Sequence, residues 1–501
     1  MGRVTRCYAA TMSNPIHLLR GALVAFVASV SLSACSPAQH QPADSAGPPN
    51  IVIVFVDDLG YGDLSCYGET RWQTPHLDAM AADGVRFTSF YTAQPVCSAS
   101  RAALLTGCYP NRIGIHNALM PDGKVGLADD ETTLAELCRS RGYATAIFGK
   151  WHLGHLPPFL PLQHGFDTWH GIPYSNDMGP DNPNNKRWKE LPTFHDGEVV
   201  EINSDQAPVT NDLTRRAVAF IEDAVADERP FFVYVPHPMP HIPLFVSEQG
   251  RGASGAGLYG DVAVELDRSV GAILEVLERT GVDDNTLVLF TSDNGPWLNY
   301  GDHAGTTAGF REGKGTTFEG GVRVPAIARW PGRIPPATVC DEPVMTIDVL
   351  PTVARLIDAE LPALPIDGQD VWPLFTGEPG ATSPHESYAF YYHRSQLQAV
   401  RAGRWKLHVP HKYRTTIGQV LGVDGNGGAY DYSAKIGLEL FDLLADPGET
   451  TDVAGAHPEV MERMLEYVEA WRSELGDSAV EREGSGVREV GRVTAPEPEG
   501  G

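Results

Sequence analysis

Basic residues are scarce in this chain of 501 residues, which has 38 Lys and Arg against 64 Asp and Glu and a formal net charge of −26. A surface with this balance lacks the positive potential that non-specific nucleic-acid binding requires. We therefore expect no nucleic-acid partner. An anionic substrate is still compatible with the composition, because a few cations focused in one cleft are enough to bind it.

Long apolar runs are missing after the first 35 residues, so we expect no later segment to span a bilayer. The amino terminus has arginines followed by GALVAFVASVSL, which is short for a transmembrane helix and typical of an export signal. It ends in LSAC, residues 32–35, and a polar, proline-rich tether follows. This pattern resembles a bacterial lipoprotein signal, which predicts a periplasmic or outer-membrane lipoprotein with its lipid anchor at Cys35. An ordinary signal peptide with a chance cysteine is the alternative.

Cysteines are few, and two of the seven, Cys7 and Cys35, belong to this leader. The other five are Cys66, Cys97, Cys108, Cys138 and Cys340. An odd number in an exported protein means that at least one cysteine is unpaired or modified. Up to two disulfides are possible among the rest, and the sequence does not choose their pairing. Cys97 is the candidate for the modified residue.

Short apolar runs bounded by turns predict buried, mostly parallel strands. They are IVIVFV (51–56), ATAIFG (144–149), FFVYV (231–235), TLVLFT (286–291) and PAIARW (325–330). Segments of helical period lie between them, and one of these stops at Gly281. The alternation predicts an α/β fold with a mostly parallel central sheet flanked by helices.

The texture changes after about residue 380, where hairpin-like strands and an amphipathic helix predict a smaller α+β domain with an antiparallel sheet. The predicted organisation is a signal peptide (1–35), a tether (36–48), a large domain (49–380), a C-terminal subdomain (381–476) and a disordered tail (477–501).

Charged or coordinating residues follow four of the predicted strands, and the carboxyl ends of parallel strands form the usual ligand crevice of such sheets. These residues are Asp57, Asp58, Lys150, His152, His241, Asp293 and Asn294. Each acidic pair alone would be read as a turn or a helix cap. Together they form an oxygen-rich cage of the kind that Ca²⁺ or Mg²⁺ prefers, and zinc is less favoured.

Cys97 precedes a helical stretch that ends at Gly107, so it lies among the free N–H groups of a helix amino terminus. Arg101, one turn further on, can reach the same point, and its guanidinium matches an oxyanion. A buried structural thiol is the usual fate of a lone cysteine. Here the cationic surroundings favour a functional one.

The segment CSASR (97–101) resembles the Cys-x-(Pro/Ala)-x-Arg signature of type I sulfatases, in which the cysteine is converted to formylglycine. PPNIVIVFVDDLGYGDLSCYG, GKWHLGH, GIPYSNDMGP, TSDNG and GKGTTFEGG also resemble sulfatase segments, in the expected order. The likeness is greatest to arylsulfatase A and galactosamine-6-sulfatase and covers residues 49–475 approximately. It implies an alkaline-phosphatase-like large domain and a sulfuric ester hydrolase acting on a sulfated glycan or aryl sulfate.

The resemblance also implies a role for each matching residue. Cys97, as formylglycine hydrate, would be the nucleophile, and Asp57, Asp58, Asp293 and Asn294 would hold Ca²⁺ together with an oxygen of that hydrate. Arg101 would fix the hydrate. The residues implied to bind the sulfate are Ser175, Lys150, His241 and Lys314. His241 would protonate the leaving alcohol, and His152 would act as the base that releases the bound sulfate.

Three other functions remain open from the sequence. A phosphodiester or phosphonate monoester hydrolase on the same scaffold is the main alternative, because the tetrahedral oxyanions resemble one another. A surface lipoprotein that only binds sulfated glycans is the second, and a two-metal phosphatase is the third. Ala99 stands where many sulfatases have proline, which leaves open which maturing enzyme acts on Cys97.

Overall fold

The structure is a computed structural model and describes residues 47–493, so the predictions for the signal peptide and for Cys35 lie outside the described residues. The strands are β1 (Asn50–Val56), β2 (Val85–Tyr91), β3 (Val125–Gly126), β4 (Ala144–Phe148), β5 (Thr168–Gly171), β6 (Pro192–His195), β7 (Glu198–Ile202), β8 (Phe231–Pro236), β9 (Thr286–Ser292), β10 (Arg323–Arg329), β11 (Thr338–Cys340), β12 (Val344–Met345), β13 (Tyr388–Tyr392), β14 (Gln396–Ala402), β15 (Trp405–His408), β16 (His411–Lys412), β17 (Lys435–Ile436), β18 (Glu439–Asp442) and β19 (Gly491–Arg492).

The helices lie between these strands, with short 3-10 turns in the connections. They are α1 (Pro75–Ala82), α2 (Cys97–Thr106), α3 (Leu134–Ser140), α4 (Val209–Ala226), α5 (Leu258–Thr280), α6 (Glu319–Val322), α7 (Val349–Leu356), α8 (Trp372–Phe375) and α9 (Pro458–Leu475). Within residues 47–493, none of the helices is both long and apolar enough to cross a membrane.

A large mixed sheet forms the centre of the described chain. Its strand order is β11-β2-β10-β9-β1-β8-β4-β5-β6-β7, and β12 pairs with β2. The strands from β9 to β5 are parallel to one another, which confirms the predicted α/β class. PAIARW, predicted as a parallel strand, is antiparallel to β9 and β2. The reason is that the chain between β9 and β10 contains no crossover helix of the length that parallel pairing needs.

Helices cover both faces of the sheet, so β1 is buried on both sides. Val52, Val54 and Val56 belong to the apolar core shared with α1, α4 and α5. Ile51, Ile53 and Phe55 belong to the opposite core, shared with α2, α3 and α7. This explains why the strand is a continuous apolar run rather than an alternating one.

The C-terminal part contains the predicted antiparallel sheet, in the order β13-β14-β15-β18. Helix α9 packs against it through Val460, Met464 and Val468, which all belong to the core of this sheet.

Residues 477–493, predicted as part of a disordered tail, are ordered: Asp477 and Ser478 bond to the C-terminal part, and the later residues pack on the large domain. β19 pairs with β3, and Arg488 donates to both carboxylate oxygens of Glu131 at 2.6 and 2.7 Å. Polar pairing orders this segment, whereas the sequence prediction considered only its low apolar content.

The five cysteines of the described residues are all free thiols. Neither of the two disulfides that the sequence allows is therefore formed there. Cys97, Cys108, Cys138 and Cys340 are buried, and Cys66 is partly buried.

Candidate active site

Two neighbouring strands place the predicted oxygen ligands side by side. β1 and β9 pair in register up to Val56 and Ser292, so Asp57–Asp58 and Asp293–Asn294 leave the sheet together. The backbone N–H of Asp58 donates to Asp293 Oδ1 at 3.1 Å, and Asn294 Nδ2 donates to Asp58 Oδ1 at 2.7 Å. Asp58 has a positive φ of 67°, a conformation that the cross-strand bonds hold in place.

Three oxygens of this group are buried without a hydrogen-bond partner among the described residues: Asp57 Oδ1, Asp58 Oδ2 and Asn294 Oδ1. Buried polar atoms normally have partners, so three orphans in one group need an explanation. Single ligand atoms of Asp57, Cys97 and Asp293 also lie within 4.8 Å of one another. The donor set, of carboxylate and amide oxygens, fits a hard divalent cation.

Cys97 is the first residue of α2 and is buried next to these carboxylates. The helix ends at Gly107, whose φ of 68° provides the left-handed cap. Burial raises the pKa of the Cys97 thiol to about 11, against the opposing effect of Lys150 and Lys314. The position at the helix start agrees with the sequence prediction.

Arg101 follows Cys97 by one turn and is completely buried. Its Nη2 lies 2.9 Å from Asp293 Oδ2 and 3.2 Å from Asp57 Oδ2, and its Nη1 donates to the carbonyl of Lys150 at 3.1 Å. Burial lowers the pKa of Arg101, but the two carboxylates outweigh that effect and the net shift is upward. Arg101 therefore stays charged and ties α2 to both strand ends.

The carboxylate pKa values differ within this group. Burial raises the pKa of Asp57, but Lys150, His241 and Arg101 together hold it well below its usual value. Burial and the neighbouring charge of Asp57 raise the pKa of Asp293 to about 7.

Two lysines approach the same carboxylates from other parts of the chain. Lys150, directly after β4, pairs with Asp57 and donates to Ser175 Oγ at 3.0 Å. Lys314 pairs with Asp58 Oδ1 at 2.6 Å and lies 4.5 Å from the ring centre of Trp297. Burial lowers the pKa of Lys314, but Asp58 and the other anionic groups around it together raise it by more, so the ammonium is retained.

His241 completes this contact network. Its Nε2 lies 3.4 Å from Ser175 Oγ and 3.6 Å from Asp58 Oδ2, while Nδ1 is 2.6 Å from the carbonyl of Ile242. Since that carbonyl only accepts, Nδ1 carries a proton and Nε2 is the atom free to exchange one.

His152 is joined to the network less directly. Its Nε2 is 2.9 Å from the carbonyl of Leu119, whose N–H in turn donates to Ser98 Oγ in α2 at 2.9 Å. Its Nδ1 has no partner among the residues that the structure describes. Burial, followed by the charges of Lys150 and Arg101, lowers the pKa of His152 well below its ordinary value. His152 is therefore a neutral imidazole that is linked through Leu119 to the first turn of α2.

A cavity of about 160 Å³ opens over this group. Four of the predicted site residues line it: Cys97, Ser175, His241 and Lys314. Asp177, Trp297, Tyr392 and Arg414 also line it and were not predicted from the sequence. Asp177 and Trp297 lie two and three residues after the predicted site residues Ser175 and Asn294, which was an available signal. Tyr392 and Arg414 come from the C-terminal part and carried no local signal.

Comparison with known proteins gives matches over most of the chain. The family model described as Sulfatase matches residues 49–359, that described as C-terminal region of aryl-sulfatase matches 383–490, and that described as N-sulphoglucosamine sulphohydrolase, C-terminal, matches 312–415. Arylsulfatase A of Homo sapiens is 40% identical over 469 residues, covering 87% of this chain and 89% of the relative.

N-acetylgalactosamine-6-sulfatase of Canis lupus familiaris is 38% identical over 461 residues, covering 86% of this chain and 87% of the relative. A solved structure described under the metabolism of multiple glycosaminoglycans by Bacteroides thetaiotaomicron has a TM-score of 0.74 at 28% identity. It covers 86% of this chain, and all of that structure's chain is matched.

Proposed function

The chain belongs to the sulfatase family and is a sulfuric ester hydrolase, and from that premise we propose how its own residues carry out the reaction. We propose that Cys97 is converted to formylglycine and that Asp57, Asp58, Asp293 and Asn294 hold a Ca²⁺ ion. We further propose that the substrate is a sulfate ester of a glycan. An aryl sulfate would be accepted as a smaller substitute.

One observation carries the proposal. Cys97, at the start of a helix, is buried in the same cluster as the cations Arg101, Lys150 and Lys314, which pair with the neighbouring carboxylates. A site that only needed a structural thiol would not collect three buried cations around it, because each costs several kcal/mol to desolvate. Such a collection stabilises negative charge on a transferring group.

The unpartnered oxygens of Asp57, Asp58 and Asn294 support the calcium assignment. Calcium would supply a fixed double positive charge that polarises an oxygen of the reacting group. Without it, the three described cations face three carboxylates and the charges balance. An added divalent ion gives the site the net positive charge that an anionic ester needs.

Formylglycine would supply two hydroxyls on one carbon as its hydrate, one to attack sulfur and the other to expel the sulfate and restore the aldehyde. The amino terminus of α2 favours negative charge at this position. Arg101 lies one turn away and would orient the modified side chain from beneath. A plain thiol offers no comparable route for releasing the sulfate, which is the chemical reason for modifying Cys97.

The remaining residues bind the sulfate and move protons. Lys150, Lys314 and Ser175 would hold the sulfate oxygens. His241 would pass a proton from Nε2 to the leaving alcohol, since its Nδ1 is occupied by the Ile242 carbonyl. His152, neutral because of its burial, is the base that would take the proton when the sulfate is released.

A glycan substrate is supported by the relatives, which include an N-acetylgalactosamine-6-sulfatase and a structure described under glycosaminoglycan metabolism. Export as a lipoprotein anchored at Cys35 would place the enzyme where polymeric sulfated glycans are met. Replacing Cys35 with Ser should prevent lipid labelling of the protein in a bacterial host and release it from the membrane fraction. Equal labelling of the variant would refute the anchor.

The proposed modification is tested by mass spectrometry of the peptide containing Cys97, on protein expressed with a sulfatase-maturing enzyme. Conversion to the aldehyde lowers the peptide mass by about 18 Da. Turnover is measured in parallel with p-nitrophenyl sulfate, and Cys97→Ala is the inactive control. Full turnover by a preparation with an unmodified thiol would refute the formylglycine mechanism.

The same assay includes p-nitrophenyl phenylphosphonate and bis(p-nitrophenyl) phosphate. Faster turnover of either than of the sulfate would favour the alternative activity on phosphonate monoesters or phosphodiesters. We expect the sulfate to be hydrolysed fastest.

A further inference from the structure

A second cavity, of about 420 Å³, lies against the C-terminal sheet beside the reaction cavity. We name it the C-terminal groove. Its lining residues are Gly315, Tyr392, His393, Gln396, Gln398, Pro410, His411, Lys412, Tyr413, Arg414, Tyr432 and Ala479. We propose that this groove binds an acidic sugar next to the sulfated one, so that the substrate is an acidic oligosaccharide rather than a monosaccharide sulfate. This inference rests on the proposed function.

The charge of the groove is opposite to that of the whole protein. The chain has a formal net charge of −26, yet none of the groove-lining residues is an Asp or Glu. Lys412 and Arg414 contribute two cations instead, and Lys412 is exposed to solvent. A groove that excludes carboxylates in so acidic a protein is complementary to an anion.

The aromatic side chains of the groove fit a sugar ring. Tyr413 is held in place by Arg311, which donates to its hydroxyl at 2.8 Å, and by an edge contact with Phe318 at 4.8 Å between ring centres. Tyr432 is 68% exposed, so its ring is available to a ligand in the groove. The volume lies within the range of about 300–1,000 Å³ typical of small-molecule sites.

The groove is continuous with the reaction cavity, because Tyr392 and Arg414 line both. Arg414 donates through Nε to the carbonyl of Lys314 at 3.1 Å, and its guanidinium stacks on Tyr430 at 4.7 Å. Gly315 makes room for it, since a Cβ there would meet Arg414 Nη2 at 2.2 Å. An anion bound at Arg414 would therefore lie beside Gly315, the residue directly after Lys314, which is proposed to bind the sulfate.

The aromatic rings and the cationic pair beside the proposed sulfate-binding residues point to a second acidic group on the neighbouring sugar, either a carboxylate or another sulfate. Both present the oxyanion geometry that a guanidinium recognises. The experiment separates the two by chemical change of the ligand.

Binding is measured by titration calorimetry on the full chain with Cys97→Ala, which prevents turnover. The ligands are a 6-sulfated N-acetylhexosamine, the disaccharide in which it is joined to a uronic acid, the same disaccharide with its carboxyl reduced, and the reduced disaccharide carrying a second sulfate. Each ligand is also titrated into the Cys97→Ala protein that carries in addition either Lys412→Gln or Tyr432→Ala. Lys435→Gln is the matched control, because Lys435 pairs with Lys412 across β16 and β17, is exposed, and does not line the groove.

We expect the uronic-acid disaccharide to bind about tenfold more tightly than the monosaccharide, and Lys412→Gln and Tyr432→Ala to remove that gain. Lys435→Gln should keep it. Binding of the doubly sulfated, reduced disaccharide at the same strength would show that the second anion is recognised as a charge, and weak binding would assign the groove to carboxylates. Equal affinity for monosaccharide and both acidic disaccharides, or unchanged affinities in both groove variants, would overturn the proposal.

Turnover of p-nitrophenyl sulfate by the unsubstituted enzyme distinguishes this result from the proposed function. A disaccharide preference without any aryl sulfate turnover would support the groove and refute the sulfatase mechanism. Turnover without a disaccharide preference would support the mechanism and refute the groove.

Discussion

A buried charge cluster joins the large domain to the C-terminal sheet and allows one prediction with a magnitude. Lys406 Nζ lies 2.9 Å from Glu319 Oε1 and 3.0 Å from Glu449 Oε1, and all three side chains are completely buried. His408 Nε2 lies 2.8 Å from the same Glu449 oxygen. Burial, then the charge of Lys406, lowers the pKa of His408 well below its ordinary value, so Lys406 is the cation that both carboxylates contact.

The pKa values of Glu319 and Glu449 are shifted in opposite directions. Burial raises the pKa of Glu319, but Lys406, Arg323 and Arg401 outweigh it and bring the value to about 2. Burial raises the pKa of Glu449 to about 7, because Lys406 compensates it only in part. At neutral pH Glu319 is therefore ionised, whereas Glu449 carries a proton in only part of the molecules.

We predict that Lys406→Met lowers the free energy of unfolding by about 3–5 kcal/mol at pH 8, because it removes the lysine that pairs with buried Glu449 and leaves Glu319 with only its arginine partners. The loss should be smaller at pH 5.5. Without Lys406 the native cluster keeps a proton on Glu449 that the unfolded chain releases near the ordinary glutamate pKa of 4.5. The unfolded state then binds fewer protons, so stability falls as pH rises, by about 1.4 kcal/mol per pH unit for each whole proton.

The assay is urea unfolding followed by tryptophan fluorescence at pH 5.5 and pH 8, for the unsubstituted protein and for the variant. Lys435→Met, which removes an exposed lysine on β17, is the control and should change stability by no more than about 0.5 kcal/mol. A loss below about 1 kcal/mol at pH 8, or the same loss at both pH values, would refute the electrostatic reasoning.

Three further predictions concern the site. Lys150→Ala should lower kcat for p-nitrophenyl sulfate by about 10²–10³ with near-normal folding by circular dichroism, and a change below tenfold would exclude Lys150 from charge stabilisation. Removal of Ca²⁺ with EGTA should abolish turnover and lower the melting temperature. Added Ca²⁺ at 100 times its Kd should raise the free energy of unfolding again by about 2.7 kcal/mol, and an unchanged melting temperature would argue against a bound ion. Gly295→Ala should cost about 3 kcal/mol or more in urea unfolding, since its Cβ would lie 1.8 Å from the backbone oxygen of Gly320, and a neutral effect would contradict that contact.

The local sequence was sufficient for the features that depend on neighbours along the chain. Apolar runs predicted β1, β4, β8 and β9 because a strand buried on both faces needs apolar residues at every position. Ligand-binding residues lie at the carboxyl ends of parallel strands, and this rule predicted that Asp57 and Asp293 lie at the same edge of the sheet. The family resemblance then gave the individual roles, which stay proposals.

The reversed direction of β10, the ordered segment 477–493 and the C-terminal groove were decided only by the tertiary structure. Each depends on contacts between residues far apart in sequence, such as Arg488 with Glu131 or Arg414 with the carbonyl of Lys314. Polar contacts of this kind leave no periodic pattern in the sequence, since a single charged residue among loop residues reads as solvated surface. The sequence by itself determined the strands and the oxygen cluster at their ends. The folded chain determined which distant side chains close the reaction cavity and extend it into a groove, because only folding brings the C-terminal strands against the loop that carries Lys314.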